Sequence, residues 1–122
     1  MVNQSDETTS RNDIASATPL DDGSLLIVWH KYRTSERGSS DFGKCDIVAK
    51  RSYEGGIIWQ NAQRLVACNP LDNNVQAPAL CKLCNEHILL ICLRGHASGE
   101  SSTMDLFRST DGRDSFQPQT SI

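Results

Sequence analysis

The residues of this sequence whose types and spacing suit metal chemistry are cysteines and histidines. Cys81 and Cys84 form a C-x-x-C pair, and His87 and His96 follow it, so a mixed zinc site can be drawn. Such a site needs a second ligand pair at matching spacing, and Cys81 and Cys92 alternate with apolar residues as core cysteines do. We therefore expect no bound metal, no cofactor and five reduced thiols, because an odd cysteine count does not suit a disulfide framework.

A second candidate region is the polar segment 33–44, which reads RTSERGSSDFGK. It is rich in Ser, Gly and charge, and it is too long for a simple turn between two strands. Long loops in compact domains tend to carry function, and this one contains Arg33, Arg37 and Asp41. The alternative is that the arginines are solvated and that Asp41 only caps a turn. Asp46, at the start of the next strand, is a rival acid or a turn former.

The composition limits the class of protein. A chain of 122 residues leaves room for one modest domain, and 38% hydrophobic with 22% charged residues excludes a wholly disordered chain and a coiled coil. The net charge of −3 does not favour nucleic acid or an anionic membrane as a partner. The longest apolar run, Leu25 to Trp29, is too short to span a membrane. The absence of a secretory signal and the cysteine usage favour a cytoplasmic location, which is otherwise unknown.

The order of apolar and turn-forming residues predicts strands throughout, arranged as an internal repeat. In each half a hairpin is followed by a polar loop and a further strand. The predicted strands are 14–19, 25–32, 46–52 and 64–68 in the first half, and 77–83, 87–93 and 103–109 in the second. The apolar strand residues expected in the core are Leu25, Ile27, Trp29, Val48, Leu89 and Ile91.

Each half also contains a related block, SYEGGIIW at 52–59 and STDGRDSF at 109–116, and the two blocks begin 57 residues apart. Both resemble the Asp-box, S-x-D-x-G-x-x-W, of sialidases and related β-propellers. Glu54 replaces the aspartate of the first block, and Arg113 and Phe116 replace the glycine and tryptophan of the second. The resemblance implies an all-β fold with about two four-stranded antiparallel blades of a six-bladed propeller.

The resemblance also implies a division of the chain into three parts. Residues 1–10 are expected to form a flexible arm, residues 11–70 the first blade, and residues 71–122 the second blade. NNVQAPALCKL looks like the start of that second blade. A propeller needs about four to eight blades, so two blades cannot close one alone. We expect either an N-terminal fragment or a chain that pairs with copies of itself.

Three candidate site residues follow from the same resemblance. Arg11 lies where sialidases carry an arginine ahead of the first strand, although their usual R-I-P reads Arg11-Asn12-Asp13 here. LDDGSLLIVWHKYR resembles the family hairpin that ends in a loop arginine, here Arg33, and SSDFGKCDIVAKRS resembles the loop that places an acid, here Asp41. Arg11 and Arg33 would bind the carboxylate of a sialic acid, and Asp41 would be the general acid/base.

The implied function is that of an exo-α-sialidase (neuraminidase), a glycosidase that removes terminal sialic acid from glycans. Sialidases use a tyrosine nucleophile, and this chain has only Tyr32 and Tyr53, neither in a suitable place. We therefore expect an incomplete hydrolase that is inactive alone. Its partners would be a sialylated or other acidic glycan and either the remaining blades or further copies of itself. The alternative is a non-catalytic Asp-box module that serves as a scaffold or a glycan-binding surface.

Overall fold

The computed structural model describes residues 6–34, 40–97, 101–112 and 115–121, which form two antiparallel sheets. The first sheet contains β1 (Thr9–Pro19), β2 (Leu25–Arg33), β3 (Cys45–Tyr53), β4 (Ile58–Trp59) and β5 (Gln63–Val66). The second contains β6 (Asp72–Lys82), β7 (Ile88–His96), β8 (Ser102–Ser109) and β9 (Gln117–Ser121). The prediction of an all-β fold of antiparallel sheets is confirmed. The described residues include no helix with the length and apolarity of a membrane span.

The strands of each sheet follow one another in chain order. The first sheet has the order β1-β2-β3, and both β4 and β5 pair with β3, so its outermost strand is in two pieces. The second sheet has the order β6-β7-β8-β9. Residues 1–5 of the expected N-terminal arm lie outside the described residues. Asp6 and Thr9 form an isolated bridge, and β1 begins at Thr9, before the predicted strand start at residue 14.

The internal repeat of the sequence is also a repeat of strand register. Leu25 of β2 lies opposite Ser52 of β3, and Ile88 of β7 lies opposite Ser109 of β8, with eight successive pairs in each hairpin. A register shift interrupts each first strand at Ile14 and Ala77, which are 63 residues apart and have positive φ values of 35° and 52°. The boxes are only 57 residues apart because the polar loop is six residues shorter in the second half.

The first box forms a tight turn between β3 and β4. It contains the single 3₁₀ turn found among the described residues, Glu54–Gly56, and Gly55 has a φ of 65°, where a side chain is disfavoured. Ser52 is buried and lies opposite Trp59 across the turn. The Trp59 Nε1–H donates to the Gly56 carbonyl at 2.8 Å, so the aromatic residue closes its own turn.

The second box uses a glycine and an aspartate in the corresponding turn. Gly112 has a φ of 63°, and a Cβ at this position would lie 2.9 Å from the backbone oxygen of Glu86. The Ser109 hydroxyl donates to Asp111 Oδ1 at 2.7 Å, which fixes the start of the turn. Arg113, which replaces the usual glycine, lies outside the described residues. Both degenerate boxes therefore hold a chain reversal after the third strand.

The main core lies between the two sheets. It contains Leu26, Val28, Ile47 and Ala49 of the first sheet and Val75, Ile88, Leu90 and Cys92 of the second. Among the expected core residues, Trp29 and Val48 are buried, but the other four are only half-buried. The prediction for those four is wrong because both faces of each sheet carry apolar residues. Alternation along a strand separates the two faces but does not show which one is covered.

Candidate functional site

Arg11 and Asp41 form an ion pair at the edge of the first sheet. Arg11 lies on β1, and its Nη2 donates to Asp41 Oδ1 at 2.7 Å. Its guanidinium carbon lies 4.1 Å from the centroid of the Tyr32 ring, and Asp13 Oδ2 is 3.4 Å from Nη2. The hydrogen bond to Asp41 is the largest cause that raises the pKa of Arg11. The arginine therefore stays charged and is held in place by an aromatic face and two carboxylates.

The loop that carries Asp41 is anchored by the second sheet. Residues 35–39 of this loop, which include Arg37, lie outside the described residues. The side chain of Asp41 is 78% exposed, but its backbone oxygen accepts a 2.7 Å hydrogen bond from Nδ2 of Asn74 on β6. Asn74 is only 4% exposed and lies opposite Gly95, where a Cβ would be 2.8 Å from the Asn74 amide oxygen. The glycine therefore makes room for the amide that holds the loop.

Two buried polar side chains lie under the Arg11–Asp41 pair. Tyr32 is fully buried, and its hydroxyl donates to Gln76 Oε1 on β6 at 3.3 Å. His30 is 2% exposed, and its Nδ1 accepts the backbone N–H of Ala77 at 3.3 Å. Burial is the largest cause that lowers the pKa of His30, so the ring is held neutral with its proton on Nε2. Both residues therefore connect the site to the second sheet.

Two donors at this site lack a protein acceptor. Within the part of the chain that the structure describes, the buried Nε of Arg11 and Nε2 of His30 have no hydrogen-bond partner. The nearest carboxylate to His30 Nε2 is Asp13, whose Oδ2 is 3.9 Å away, beyond hydrogen-bond distance. Buried N–H groups are normally satisfied, so these two donors favour an acceptor atom supplied by water or by a ligand.

A polar cleft of about 380 Å³ lies next to Asp41, between its loop and the edge of the second sheet. Its lining includes Asp41, Phe42, Asn73, Asn74, Gln76 and His96. The Phe42 ring is exposed, and Asn73 donates to the backbone oxygen of His96 at 2.8 Å. The cleft thus presents amides, an imidazole and an aromatic ring beside the ion pair, the mixture of polar groups and apolar surface that binds small polar ligands.

Arg33 is held by a different carboxylate. Its Nε and Nη2 donate to the two oxygens of Asp46 at 2.9 and 2.5 Å, and Nη2 also donates to the Cys68 carbonyl at 3.2 Å. Asp46 is buried and in turn accepts the Cys68 N–H at 2.8 Å. The structure therefore brings Arg11 and Asp41 together and places Arg33 with Asp46, the rival acid, in a bidentate pair that ties β2 and β3 to the chain at Cys68.

A second cleft, of about 390 Å³, lies beside that bidentate pair. Its lining includes Thr8, Lys31, Arg33, Asp46 and Arg64. Three cations against one carboxylate make it the more basic of the two clefts. Lys31 and Arg33 alternate along β2 with Tyr32, so the basic cleft opens on the opposite face of the strand from Arg11 and the Tyr32 ring. It provides an internal comparison for any test with an anionic ligand.

The cysteines and the remaining histidines occupy separate environments. All five cysteines are free thiols, with Cys45, Cys68 and Cys92 buried and Cys81 and Cys84 exposed. The predicted core position is confirmed for Cys92 and is wrong for Cys81, which lies on the edge strand β6. Burial raises the pKa of Cys45 and of Cys92 to about 12. His87 Nδ1 accepts from Arg108 Nε at 2.9 Å, and His96 Nδ1 lies 3.8 Å from Asp72. Within the described ranges, no three metal-ligating side chains form a group.

Sequence reasoning did not identify several residues of this site. It named Arg11 and Asp41 but not the side chains that hold them, namely Asp13, His30, Tyr32, Asn74 and Gln76. One signal was present: the 63-residue spacing between the two hairpins makes Asn74 and Gln76 the counterparts of Arg11 and Asp13. An alignment of the two halves over the hairpins, as well as over the boxes, identifies Asn74 and Gln76 as candidate site residues.

No protein-family model matches the sequence, and no curated protein matches it.

Proposed function

We propose that the chain is part of an exo-α-sialidase-like glycoside hydrolase and that its two sheets are consecutive blades of a six-bladed β-propeller. The observation that carries the proposal is the Arg11–Asp41 pair, a guanidinium held on an exposed carboxylate beside a polar cleft. The two Asp-box turns and the shared register of the hairpins support the propeller assignment. The family resemblance of the sequence supplies the reaction.

Arg11 is the proposed binding group for the carboxylate of a sialic acid. Its guanidinium is charged and positioned by Tyr32, and its Nε has no acceptor within the described chain. Asp41 is the partner that a ligand carboxylate can replace, because its side chain is mostly exposed and the bond from Asn74 to its backbone oxygen holds its loop without Arg11. A bidentate carboxylate could then accept from both Nε and Nη2 of Arg11.

Asp41 is the proposed general acid. A ligand carboxylate that takes over Arg11 would leave the exposed carboxyl group of Asp41 beside the bound sugar. In its protonated form, such a group can donate a proton to a leaving glycosidic oxygen. The cleft beside Asp41 would hold the rest of the glycan through its amides and Phe42.

Arg33 is less available than Arg11 to bind the carboxylate of the sugar, because it is already bonded to Asp46. As a second member of the carboxylate clamp it would have to leave Asp46, which is buried and also holds the Cys68 N–H. The Arg33 side chain is 41% exposed, but its departure would take both guanidinium donors from the buried Asp46 carboxylate, which is costly. We therefore assign the main carboxylate contact to Arg11 and keep Arg33 as a clamp residue that needs a rearrangement of its loop.

The chain is expected to bind an acidic sugar without turning it over. Tyr32 is fully buried with its hydroxyl bonded to Gln76, and Tyr53 lies on the turn of the first box. Neither tyrosine is placed to attack a sugar held at Arg11. The nucleophile and further arginines would come from other blades. Release of sialic acid from an aryl sialoside by the purified chain would contradict this proposal of an incomplete site.

A titration with N-acetylneuraminic acid, followed by NMR, tests the proposal. The wild-type chain should bind, and Arg11→Ala should weaken binding by about tenfold or more, since a charge-assisted hydrogen bond contributes about 1.5–3 kcal/mol. Arg64→Ala removes the same charge from the basic cleft and should leave the affinity unchanged. If neither the wild type nor Arg64→Ala shows saturable binding, the glycan proposal fails and a non-catalytic Asp-box scaffold takes its place.

A further inference from the structure

The outward face of the second sheet corresponds, position by position, to a face that is buried in the first sheet. The pair Leu26–Arg51 of β2 and β3 has Leu89–Arg108 as its counterpart in β7 and β8. Leu26 is fully buried in the main core, whereas Leu89 is only half-buried. The register therefore identifies two equivalent surfaces, one covered and one open.

The next pairs along the same face show the same relation. Val28–Ala49 corresponds to Ile91–Leu106, and His30–Ile47 corresponds to Leu93–Met104. The change in exposure is largest in the last pair, where Ile47 is 0% exposed and Met104 is 49% exposed. We call the surface formed by Leu89, Ile91, Leu93, Met104 and Leu106 the open face of the second sheet. Its apolar composition is that of a face made to be covered.

The chain itself carries the surface that covers this kind of face. In the main core, Leu26 and Val28 of the first sheet cluster with Ile88, Leu90 and Cys92 of the second. By register, the counterparts of those three residues in the first sheet are Leu25, Ile27 and Trp29. Leu25 and Ile27 are half-buried and Trp29 is 4% exposed, and we call the surface of these three residues the open face of the first sheet.

We propose that a second copy of this chain covers the open face, with the open face of its first sheet packed on the open face of the second sheet of its neighbour. The contact would repeat the packing that already joins the two sheets inside one chain. Because the two faces differ, the association is heterologous and either closes into a ring or continues as a chain of copies. The proposal rests on the register of the strands and uses neither Arg11 nor Asp41, although Lys31 and Arg33 lie on the same face of β2 as Ile27.

The test uses one blocking substitution on each face. Met104→Lys places a charge on the open face of the second sheet. Ile27→Lys places one on the open face of the first, where Lys50 lies opposite on β3 and Lys31 lies further along β2. Leu71→Lys is the matched control, because Leu71 is 81% exposed and lies in neither face. Sedimentation velocity over about 1–200 μM gives the mass of each species, and circular dichroism with thermal unfolding shows that each variant is folded.

The expected result has three parts. The wild type and Leu71→Lys associate with increasing concentration, each blocked variant alone is monomeric, and an equimolar mixture of the two blocked variants forms a dimer, since each supplies one intact face. A wild type that stays monomeric at 200 μM would overturn the proposal without reference to any variant. It would also be overturned if Ile27→Lys still dimerised with itself, because that contact would join two identical faces, or if Leu71→Lys dissociated the assembly.

Discussion

The two sheets share a scaffold but differ in the residues at one rim. The 63-residue spacing pairs each rim residue of the first sheet with a counterpart in the second: Arg11 with Asn74, Asp13 with Gln76, His30 with Leu93, and Tyr32 with Gly95. The first sheet therefore carries the ionisable groups, and the second carries amides, an aliphatic residue and a glycine. Because Asn74 holds the Asp41 loop and Gln76 accepts from Tyr32, the second sheet supports the chemistry of the first.

The two polar loops differ in the same way. The loop between β2 and β3 is six residues longer than the loop between β7 and β8, and Asp41 lies in the longer one. Extra length at a loop costs little in closure entropy, whereas a change within a strand would disturb register. The comparison teaches that a loop with an exposed carboxylate can be longer in one copy of a repeat without altering the strand register that both copies share.

The largest expected effect concerns the turns that the two halves share. Gly55 and Gly112 have nearly equal φ values. A Cβ added at Gly55 would have no atom within 4 Å, whereas a Cβ added at Gly112 would lie 2.9 Å from a backbone oxygen. Gly55→Ala should therefore cost about 1 kcal/mol, from backbone strain alone. Gly112→Ala should cost about 2–4 kcal/mol, because overpacking adds to the strain. Urea unfolding measures both, and equal losses would show that the turns are not packed differently.

A smaller effect is expected from the amide that joins the two rims. Asn74→Ala removes the hydrogen bond to the Asp41 backbone and should cost about 1 kcal/mol of stability and several-fold in affinity for N-acetylneuraminic acid. Asn73→Ala is the matched control, because Asn73 donates to the backbone of His96 and not to the Asp41 loop. If the two variants bind the sugar equally well, Asn74 does not position Asp41.

The smallest effect is a dependence of stability on pH that comes from His30 of the first half. His30 has a lowered pKa in the folded chain, and protonation would break its bond from Ala77 N–H. Its contribution is fully present above the unfolded value of 6.5 and is lost as the pH falls from there toward the lower folded pKa. The variant His30→Leu gives the first half the residue that the second half has at the equivalent position, Leu93.

Thermal unfolding between pH 7.5 and 5 checks this prediction. On acidification, the melting temperature of the wild type should fall further than that of His30→Leu. The difference between the two falls should be a few degrees at most. The half-buried His87 offers the control, since His87→Leu leaves His30 in place and should keep the part of the dependence that His30 supplies. An unchanged slope in His30→Leu would assign the acid sensitivity to other groups.

Most of the fold could be predicted from the sequence, because turns and periodicity are local signals. The Asp22-Gly23 hairpin, the chain reversals after β3 and β8 and most strands appear where the sequence predicts them. Which face of each sheet is covered could not be predicted from the sequence, because Leu25 and Leu26 are equally apolar. Only the packing of one sheet on the other distinguishes them.

The candidate site was accessible only in part. Arg11 and Asp41 were named by position, and the structure places them in contact. The pairing of Arg33 with Asp46 depends on strand twist and on the chain near Cys68, which no local pattern encodes. The same holds for the amides of β6, since their partners lie more than 30 residues away in sequence.

The most direct test of the proposed site is a comparison of two ligands that differ by one charge. Two-dimensional ¹H–¹⁵N NMR of the wild-type chain would be recorded with N-acetylneuraminic acid and with its methyl ester. The acid should cause saturable shifts centred on Arg11, Asp41 and Asn74, and the ester should cause none there, because Arg11 recognises the carboxylate. Equal shifts from both ligands, or shifts from the acid centred on Lys31 and Arg64 in the basic cleft, would contradict the account.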